Sequence, residues 1–475
     1  MRRLVAVGLV LVVSACARNP VTGKRELSLV SQEQEIALGQ QAAQDVEKSI
    51  GLYPDPKAQA YVERLGKALA AKSERPDLPW RFGVVDDPSV NAFALPGGAI
   101  FVTRGIMTHL NNEAELVAVL GHEVGHVAAK HSVEQLSKAT LAQVGLGVGA
   151  LIRPDLARYA QVAGAGLGLL FLKFGRDAER QADDLGFRYG TQTGHDMRQM
   201  PQVFKTLGRV SQAASERGKL PEWLSTHPDP ENRVTASSER VAAANVDWSR
   251  TKVERDAYLA VVNGMTYGED PRQGYFQGNA FLHPGLKFRM DMPAGWKTQN
   301  TPQAVAAVSP SQDAVVQLQV AGAMTPEQAA QKFYSQQGIQ QATGVNLAGL
   351  PPNSSYFQAQ TEQGVVAGLT SFFSHGGQTF MIASYSGQEQ LGKYDPAFRA
   401  TVTSFAPLTD PAALAVQPAK VELVKVPRDM TLAQFHAESP SSVTADELAL
   451  INGLERDSPV KAGTTLKRVV GGVKK

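Results

Sequence analysis

The chain has 475 residues, 43% of them hydrophobic and 19% charged, with a formal net charge of +2 and a single cysteine. That length exceeds one ordinary core, which sets an expectation of two or three domains, and the composition excludes a disordered or collagen-like chain. The near-neutral balance, without a long basic run, excludes an electrostatic nucleic-acid binder, and a lone cysteine excludes an intramolecular disulfide.

The chain opens on MRRLVAVGLVLVVSACARNP. Arg2 and Arg3 precede an apolar run from Leu4 to Val13 and the small pair Ser14-Ala15, the layout of a secretory leader and too short for a comfortable membrane span. The plainer reading is an ordinary leader with an incidental cysteine. Val13-Ser14-Ala15-Cys16, however, resembles a bacterial lipobox. The resemblance implies a lipoprotein signal peptide over residues 1–16 and a membrane anchor through lipidated Cys16. Ala17 in the next position is similar to outer-membrane rather than inner-membrane lipoproteins, although inner-membrane anchoring stays open.

Residues 19–30 read as an extended leader, after which Ser31 starts a helix with Gln34 as its capping-box partner. Helical periodicity returns in AQAYVERLGKALAAK. Strand-like runs at 81–85 and 99–103 flank a turn at Pro96-Gly97-Gly98. NEAELVAVLGHEVGHVAAKHSVEQL predicts one strong helix from about residue 112. Residues 141–172, rich in Gly, Ala and Leu, are expected as a buried helical hairpin rather than a membrane span. Beyond about 270 come short strand-like runs, two of them joined at Gly376-Gly377, and a helix started by Thr325-Pro326. Residues 271–407 are therefore expected as a small α+β domain, 408–420 as a linker and 421–475 as a terminal module.

GHEVGHVAAKH, residues 121–131, holds three of the nine histidines. On a helix each residue advances about 100°, so His122 and His126 emerge about 40° apart on one face. His131 comes out on the far side and cannot join them unless the helix breaks. Two imidazoles at this spacing, with Glu123 after the first, form the H-E-x-x-H pattern. Imidazole is a good neutral zinc ligand, and Glu123 is placed to take a proton from water rather than to bind metal. Gly121 and Gly125 each cost about 1 kcal/mol against alanine in a helix, which predicts close packing of another element there.

A third ligand is needed, and FGRDAERQADDLG (174–186) offers one. Glu179 and Asp183 share a helix face, so Glu179 could bind the ion and Asp183 could orient a ligand imidazole. A salt-bridged surface helix, using Arg176 and Arg180, fits the same spacing equally well.

The tie is broken by likeness. HEVGH followed by ERQAD, together with NPVTGKRELSLVSQEQEIALG, NAFALPGGAIFVTRG and STHPDPENR, resembles the zinc metallopeptidase family of HtpX-like and CAAX prenyl endopeptidases, in its periplasmic BepA-like branch. The resemblance covers residues 19–265. It implies a mainly helical gluzincin domain with a small β-sheet and one zinc ion per chain. Its ligands would be His122, His126 and Glu179, with Asp183 behind them and Glu123 as general base. His227 and Arg233, in STHPDPENR, are candidates to stabilise the oxyanion, and a neutral His227 could also occupy the open metal position. Asn91, Ala92, Phe93, Ala94 and Leu95 form a candidate edge strand for an extended substrate, although their apolar side chains suit a core equally.

The stretch from Met430 to Val469 resembles a LysM module, a βααβ unit that implies contact with peptidoglycan; it departs from the pattern at Pro427-Arg428 and at AESPSS, so a plain docking module fits as well. The expectation is an α+β multidomain zinc endopeptidase on the periplasmic face of the outer membrane. Its substrates would be unfolded or misfolded envelope proteins, and its partners peptidoglycan or the outer-membrane assembly machinery. The rival readings are a metal-stabilised chaperone or scaffold and a cell-wall adaptor.

Overall fold

The structure, a computed structural model, describes residues 16–146, 172–216, 223, 226–227, 230–301, 304–361 and 364–473. The leader over residues 1–15 and the hairpin expected at 141–172 lie wholly or mostly outside that range. Cys16 opens the short strand β1 (Cys16–Arg18), paired antiparallel with β2 (Arg25–Leu27). Among the described residues no helix is long and apolar enough to cross a membrane.

Two compact units emerge. One combines the described residues of Met1–Glu269 with Ala419–Gly471, and the other is built from Asp270–Pro418. In the first, α1 (Gln32–Ser49) starts at Ser31, whose side chain and that of Gln34 close the expected capping box. Helix α2 (Pro56–Ala70) follows behind the Asp55 cap. Strands β3 (Arg81–Val85), β4 (Ala92–Ala94) and β5 (Ala99–Thr103) make a small mixed sheet in the order β3-β5-β4. Strand β5 is buried along its whole length, and β4 is an edge strand.

Helix α3 (Arg104–His109) leads into α4 (Glu113–Ala128), capped by Asn112 and buried at every position. Leu116, Val117, Leu120 and Val124 anchor it in the main core, each contributing about 1.5–3 kcal/mol through burial. A buried bidentate pair fixes its far end. Arg75 Nη1 and Nη2 donate to Glu35 Oε1 and Oε2 at 2.7 and 2.9 Å, and Nη1 also donates to Val127 O at 3.0 Å. The continuous helix expected here does not form. The chain turns at Lys130, whose φ of 60° is left-handed, and α5 (His131–Leu146) starts afresh. Neither glycine nor proline marks that break.

Helices α6 (Arg176–Gln192), α7 (Met200–Glu216), α8 (Pro230–Ala243) and α9 (Arg255–Val262) complete the helical part. Helix α6 crosses α4 where both are stripped of side chains. A Cβ on Gly121 would meet Gly186 O at 3.0 Å, one on Gly125 would meet Ala182 O at 3.0 Å, and one on Gly186 would meet His122 N at 2.7 Å. The packing role expected of the two helix glycines is met by α6.

The second unit carries an antiparallel seven-stranded sheet, β12-β13-β14-β15-β11-β10-β9. Its strands are β9 (Lys297–Asn300), β10 (Ala304–Val308), β11 (Ala314–Gly322), β12 (Ile339–Gln341), β13 (Ser354–Thr361), β14 (Gly364–His375) and β15 (Gln378–Gly387). A four-stranded antiparallel sheet of β6 (Tyr275–Gln277), β7 (Ala280–His283), β8 (Phe288–Asp291) and β16 (Ala406–Pro407), in the order β16-β8-β7-β6, lies in the same unit. Helix α10 (Pro326–Tyr334) starts at the Thr325 capping box, and α11 (Leu391–Ser404) packs its Tyr394, Phe398 and Val402 into the core. The β14–β15 turn is Gly376-Gly377, both at positive φ, as a tight hairpin requires.

Residues 420–470 run β17 (Lys420–Lys425), β18 (Met430–Thr431), α12 (Leu432–Glu438), α13 (Ala445–Ile451), β19 (Pro459–Val460) and β20 (Thr465–Val470). Strands β17 and β20 pair antiparallel around the two helices. The segment does not stand apart from the first unit. Lys467, fully buried, donates to Thr108 O at 2.8 Å and Leu110 O at 2.7 Å, at the C-terminal end of α3. Arg255 donates to Thr465 O at 2.8 Å, and Arg209 to Leu454 O at 2.9 Å. A lysine amine set on the carbonyls at a helix end satisfies acceptors that have no partner within the helix.

Candidate metal centre

The α4–α6 crossing brings four ligand atoms together. His122, His126, Glu179 and His227, all buried, each offer one atom to a cluster within 4.8 Å. Nε2 of His122 and Nε2 of His126 are 2.9 Å apart, both turned to one point. Glu179 faces them with Oε2 3.5 Å from His122 Nε2 and Oε1 3.5 Å from His126 Nε2. His227 Nδ1 lies 2.9 Å from Glu179 Oε1 and 3.3 Å from His122 Nε2. Asp177 and Asp184, off the shared face of α6, point elsewhere, and Asp184 pairs with Arg240.

Behind this cluster, His122 Nδ1 donates to Asp183 Oδ1 at 2.8 Å, which leaves Nε2 as a lone-pair donor toward the cluster. Arg233 donates from Nε to Asp183 Oδ2 at 3.0 Å and from Nη2 to Asp183 Oδ1 at 2.6 Å. Its Nη1 stands 3.1 Å from Glu179 Oε2, and its guanidinium lies 4.2 Å from the centroid of the Phe204 ring. The guanidinium is committed to two carboxylates rather than turned to the open side of the cluster. Phe174 packs on His126 at a ring separation of 4.1 Å, and Trp223 stacks on His227 at 4.2 Å.

The charges follow from these neighbours. Burial pushes Glu179 toward protonation, but His227, His126 and His122 outweigh it and hold the carboxyl far below its usual range. Asp183 is likewise resisted by burial yet held at about 2 by Arg233 and His122. Burial, helped by His122, keeps His126 neutral, well below the ordinary histidine value. Burial raises Glu123, only partly countered by His227 and His122. Glu123 Oε1 lies 3.7 Å from His227 Nε2.

The donor set fits a zinc ion. Three nitrogens and a carboxylate oxygen are the ligand types zinc prefers, in number for a tetrahedral site. Glu123 Oε1 is buried without a hydrogen bond, an arrangement that costs about 1–3 kcal/mol unless another partner is supplied. Glu179 Oε2 accepts no hydrogen bond but meets Arg233 and His122 in ion-pair contacts at 3.1 and 3.5 Å.

Strand β4 reaches α4 from the sheet side. Leu95 N donates to Ala99 O and Thr103 N donates to Asn91 O, so parity turns the backbone groups of Ala92 and Ala94 away from β5. The side chains of Ala92, Phe93 and Leu95 are buried and Ala94 is half-buried.

Two features had no counterpart in the sequence reading. The carboxylate grip of Arg233 depends on α8 folding back on α6, which no spacing reveals. The contact of His131 with His126, 2.9 Å between Nδ1 atoms, depends on the break at Lys130.

A helix that turns two Nε2 lone pairs to one point, faced by a buried carboxylate and flanked by an unsatisfied glutamate, defines the metallopeptidase class. The model of the family described as Peptidase family M48 matches residues 56–241. Mitochondrial metalloendopeptidase OMA1 of Schizosaccharomyces pombe is 34% identical over 233 residues, 48% of this chain and 67% of that protein. The chain belongs to peptidase family M48. Mitochondrial metalloendopeptidase OMA1 of Arabidopsis thaliana is 37% identical over 183 residues, 38% of this chain and 34% of that protein. Beta-barrel assembly-enhancing protease of Yersinia pestis is 30% identical over 230 residues, 46% of each chain. The chain thus spans two thirds of the fission-yeast relative and under half of the other two.

Proposed function

We propose that this chain is an active zinc-dependent endopeptidase of the bacterial cell envelope that cleaves misfolded or stalled periplasmic and outer-membrane proteins. The observation that carries the reading is the convergence of His122, His126 and Glu179 beside a buried Glu123 with an unsatisfied oxygen. These three ligands would hold one zinc ion, which when bound would supply Lewis acidity to a water and a peptide carbonyl. Glu123, at its buried Oε1, would take a proton from the attacking water and deliver it to the leaving amine. Its raised proton affinity suits both halves of that transfer. Asp183 and Arg233 keep His122 and Glu179 aimed, a positioning role for Arg233 in place of the oxyanion role first considered. His227 faces the same point and, as a neutral imidazole, would serve as a further ligand in the resting protein and as a donor to the oxyanion during cleavage. Peptide substrate adds to the β4 edge through Ala92 and Ala94, a backbone-led mode that favours unfolded segments.

An envelope setting is supported by the leader pattern ahead of Cys16, read as a lipid anchor, and by the relative named for enhancing β-barrel assembly. Two helices set between the outer pair β17 and β20, with the short strands β18 and β19 inside them, support a LysM-like reading of the terminal module. The test compares wild type with Glu123→Gln on an unfolded polypeptide, with bound zinc measured. Retained zinc with cleavage reduced by about 10²–10⁴ is expected. Equal cleavage by the two proteins overturns the reading.

A further inference from the structure

Each imidazole that turns Nε2 toward the cluster must carry its proton on Nδ1, and a buried N–H requires an acceptor. His122 has Asp183. His126 Nδ1 meets Nδ1 of His131 at 2.9 Å, with the two rings edge-on at 75°. An imidazole accepts at Nδ1 only in the tautomer protonated at Nε2. His131 Nε2 lies 2.8 Å from Gln181 Oε1, an amide oxygen that accepts that proton and selects the tautomer. The relay is buried at His131, which is 3% exposed. It exists because the left-handed turn at Lys130 ends α4 and swings His131 back over His126.

We infer that His131, fixed by Gln181, is a positioning residue for the metal ligand His126, as Asp183 is for His122. The inference rests on the metal reading above. It gives α6 a third duty: Glu179 faces the ion, Asp183 orients His122, and Gln181 between them orients His126 through His131. The two relays differ in charge. A carboxylate acceptor strengthens His122 as a donor, whereas a neutral acceptor fixes His126 without adding a negative charge to a cluster that already holds Glu179 and Asp183.

The experiment uses the full chain with His131→Leu, His131→Gln and Gln181→Leu. Zinc affinity is measured by chelator competition, the cobalt-substituted protein by visible absorption, and the metal-free fold by circular dichroism. His131→Leu is expected to weaken zinc about 10–100-fold and to shift the cobalt bands, while His131→Gln, whose amide oxygen restores an acceptor, recovers most of the affinity. Gln181→Leu is expected to lose a smaller, few-fold share, and it decides the matter if His131→Leu proves unfolded without metal. Wild-type affinity and cobalt spectrum in His131→Leu, or in Gln181→Leu where the former is unfolded, overturn the inference; so does a His131→Gln protein no better than His131→Leu. A wild-type chain that binds no zinc defeats the metal reading itself, and this inference with it.

Discussion

Gly186→Ala is the sharpest probe of how the crossing builds the centre. A methyl at position 186 would sit 2.7 Å from His122 N and 2.9 Å from Gly121 C, both backbone atoms that cannot swing aside. Reaching ordinary contact near 3.4 Å requires the helices to part by about 0.7 Å. Alanine itself favours the helix by about 1 kcal/mol, and overpacking of this kind costs about 1–3 kcal/mol, so the net change is a loss of up to about 2 kcal/mol. The larger effect falls on the centre. Glu179 and Asp183 ride on α6, and ligand displacement of this order costs about 10²-fold in activity. Gly208→Ala on α7 is the control, because its methyl would meet nothing within 4 Å; there the same change stabilises by about 1 kcal/mol. Denaturant unfolding, zinc affinity and cleavage of an unfolded polypeptide read out both proteins. If Gly186→Ala is stabilised as much as Gly208→Ala, with zinc affinity intact, the crossing does not position the ligands and the reasoning fails.

Three further outcomes are expected. His227→Ala keeps zinc bound but alters the cobalt absorption bands and the cleavage rate; unchanged values in both would remove His227 from the centre. His109 is buried and held at about 4 by burial, with Lys467 adding to the effect. The unfolded chain takes up this proton below about 6.5 and the folded protein only below about 4, so stability is lost as pH falls between those values. That loss is about 2 kcal/mol from pH 6.5 to 5, and His109→Gln should show a correspondingly shallower decline in unfolding midpoint. Lys467→Met strips two buried carbonyls, Thr108 O and Leu110 O, of their donor. It should cost about 2–4 kcal/mol and lower the thermal midpoint of the catalytic unit, whereas an unaltered midpoint would mean the contact is dispensable.

Local order was legible where the signal is local. Ser31 and Gln34, Thr325 and Gln328, the strands at 81–85 and 99–103 and the Gly376-Gly377 hairpin all declare themselves within a few residues. The pairing of His122 with His126 follows from helix periodicity alone. Glu179 was only one of two equal readings by spacing, because contact between α4 and α6 is a tertiary fact. Gly121 and Gly125 hinted at it without naming the partner. The break at Lys130 had no signal of its own, since a lysine in the left-handed region is held there by its surroundings. Arg233 read as a candidate to stabilise the oxyanion; its pairing with Asp183 and its approach to Glu179 are visible only in the fold. The terminal segment read as a separate module because its strands and helices are locally complete, and nothing in its own sequence marks Lys467 as a buried side chain.

The placement of Lys467 has a consequence for the order in which the molecule is made. The floor beneath the start of the metal-bearing helix is closed by a side chain encoded 357 residues after the carbonyl of Leu110 that it caps. Between them the ribosome must deliver the whole of Asp270–Pro418, a unit with its own sheet and core. That unit carries a core of its own, so its packing does not wait for the contact that Lys467 makes in the first unit. The helix that carries His122 and His126 therefore cannot have its full surroundings until β20 has been added to the chain.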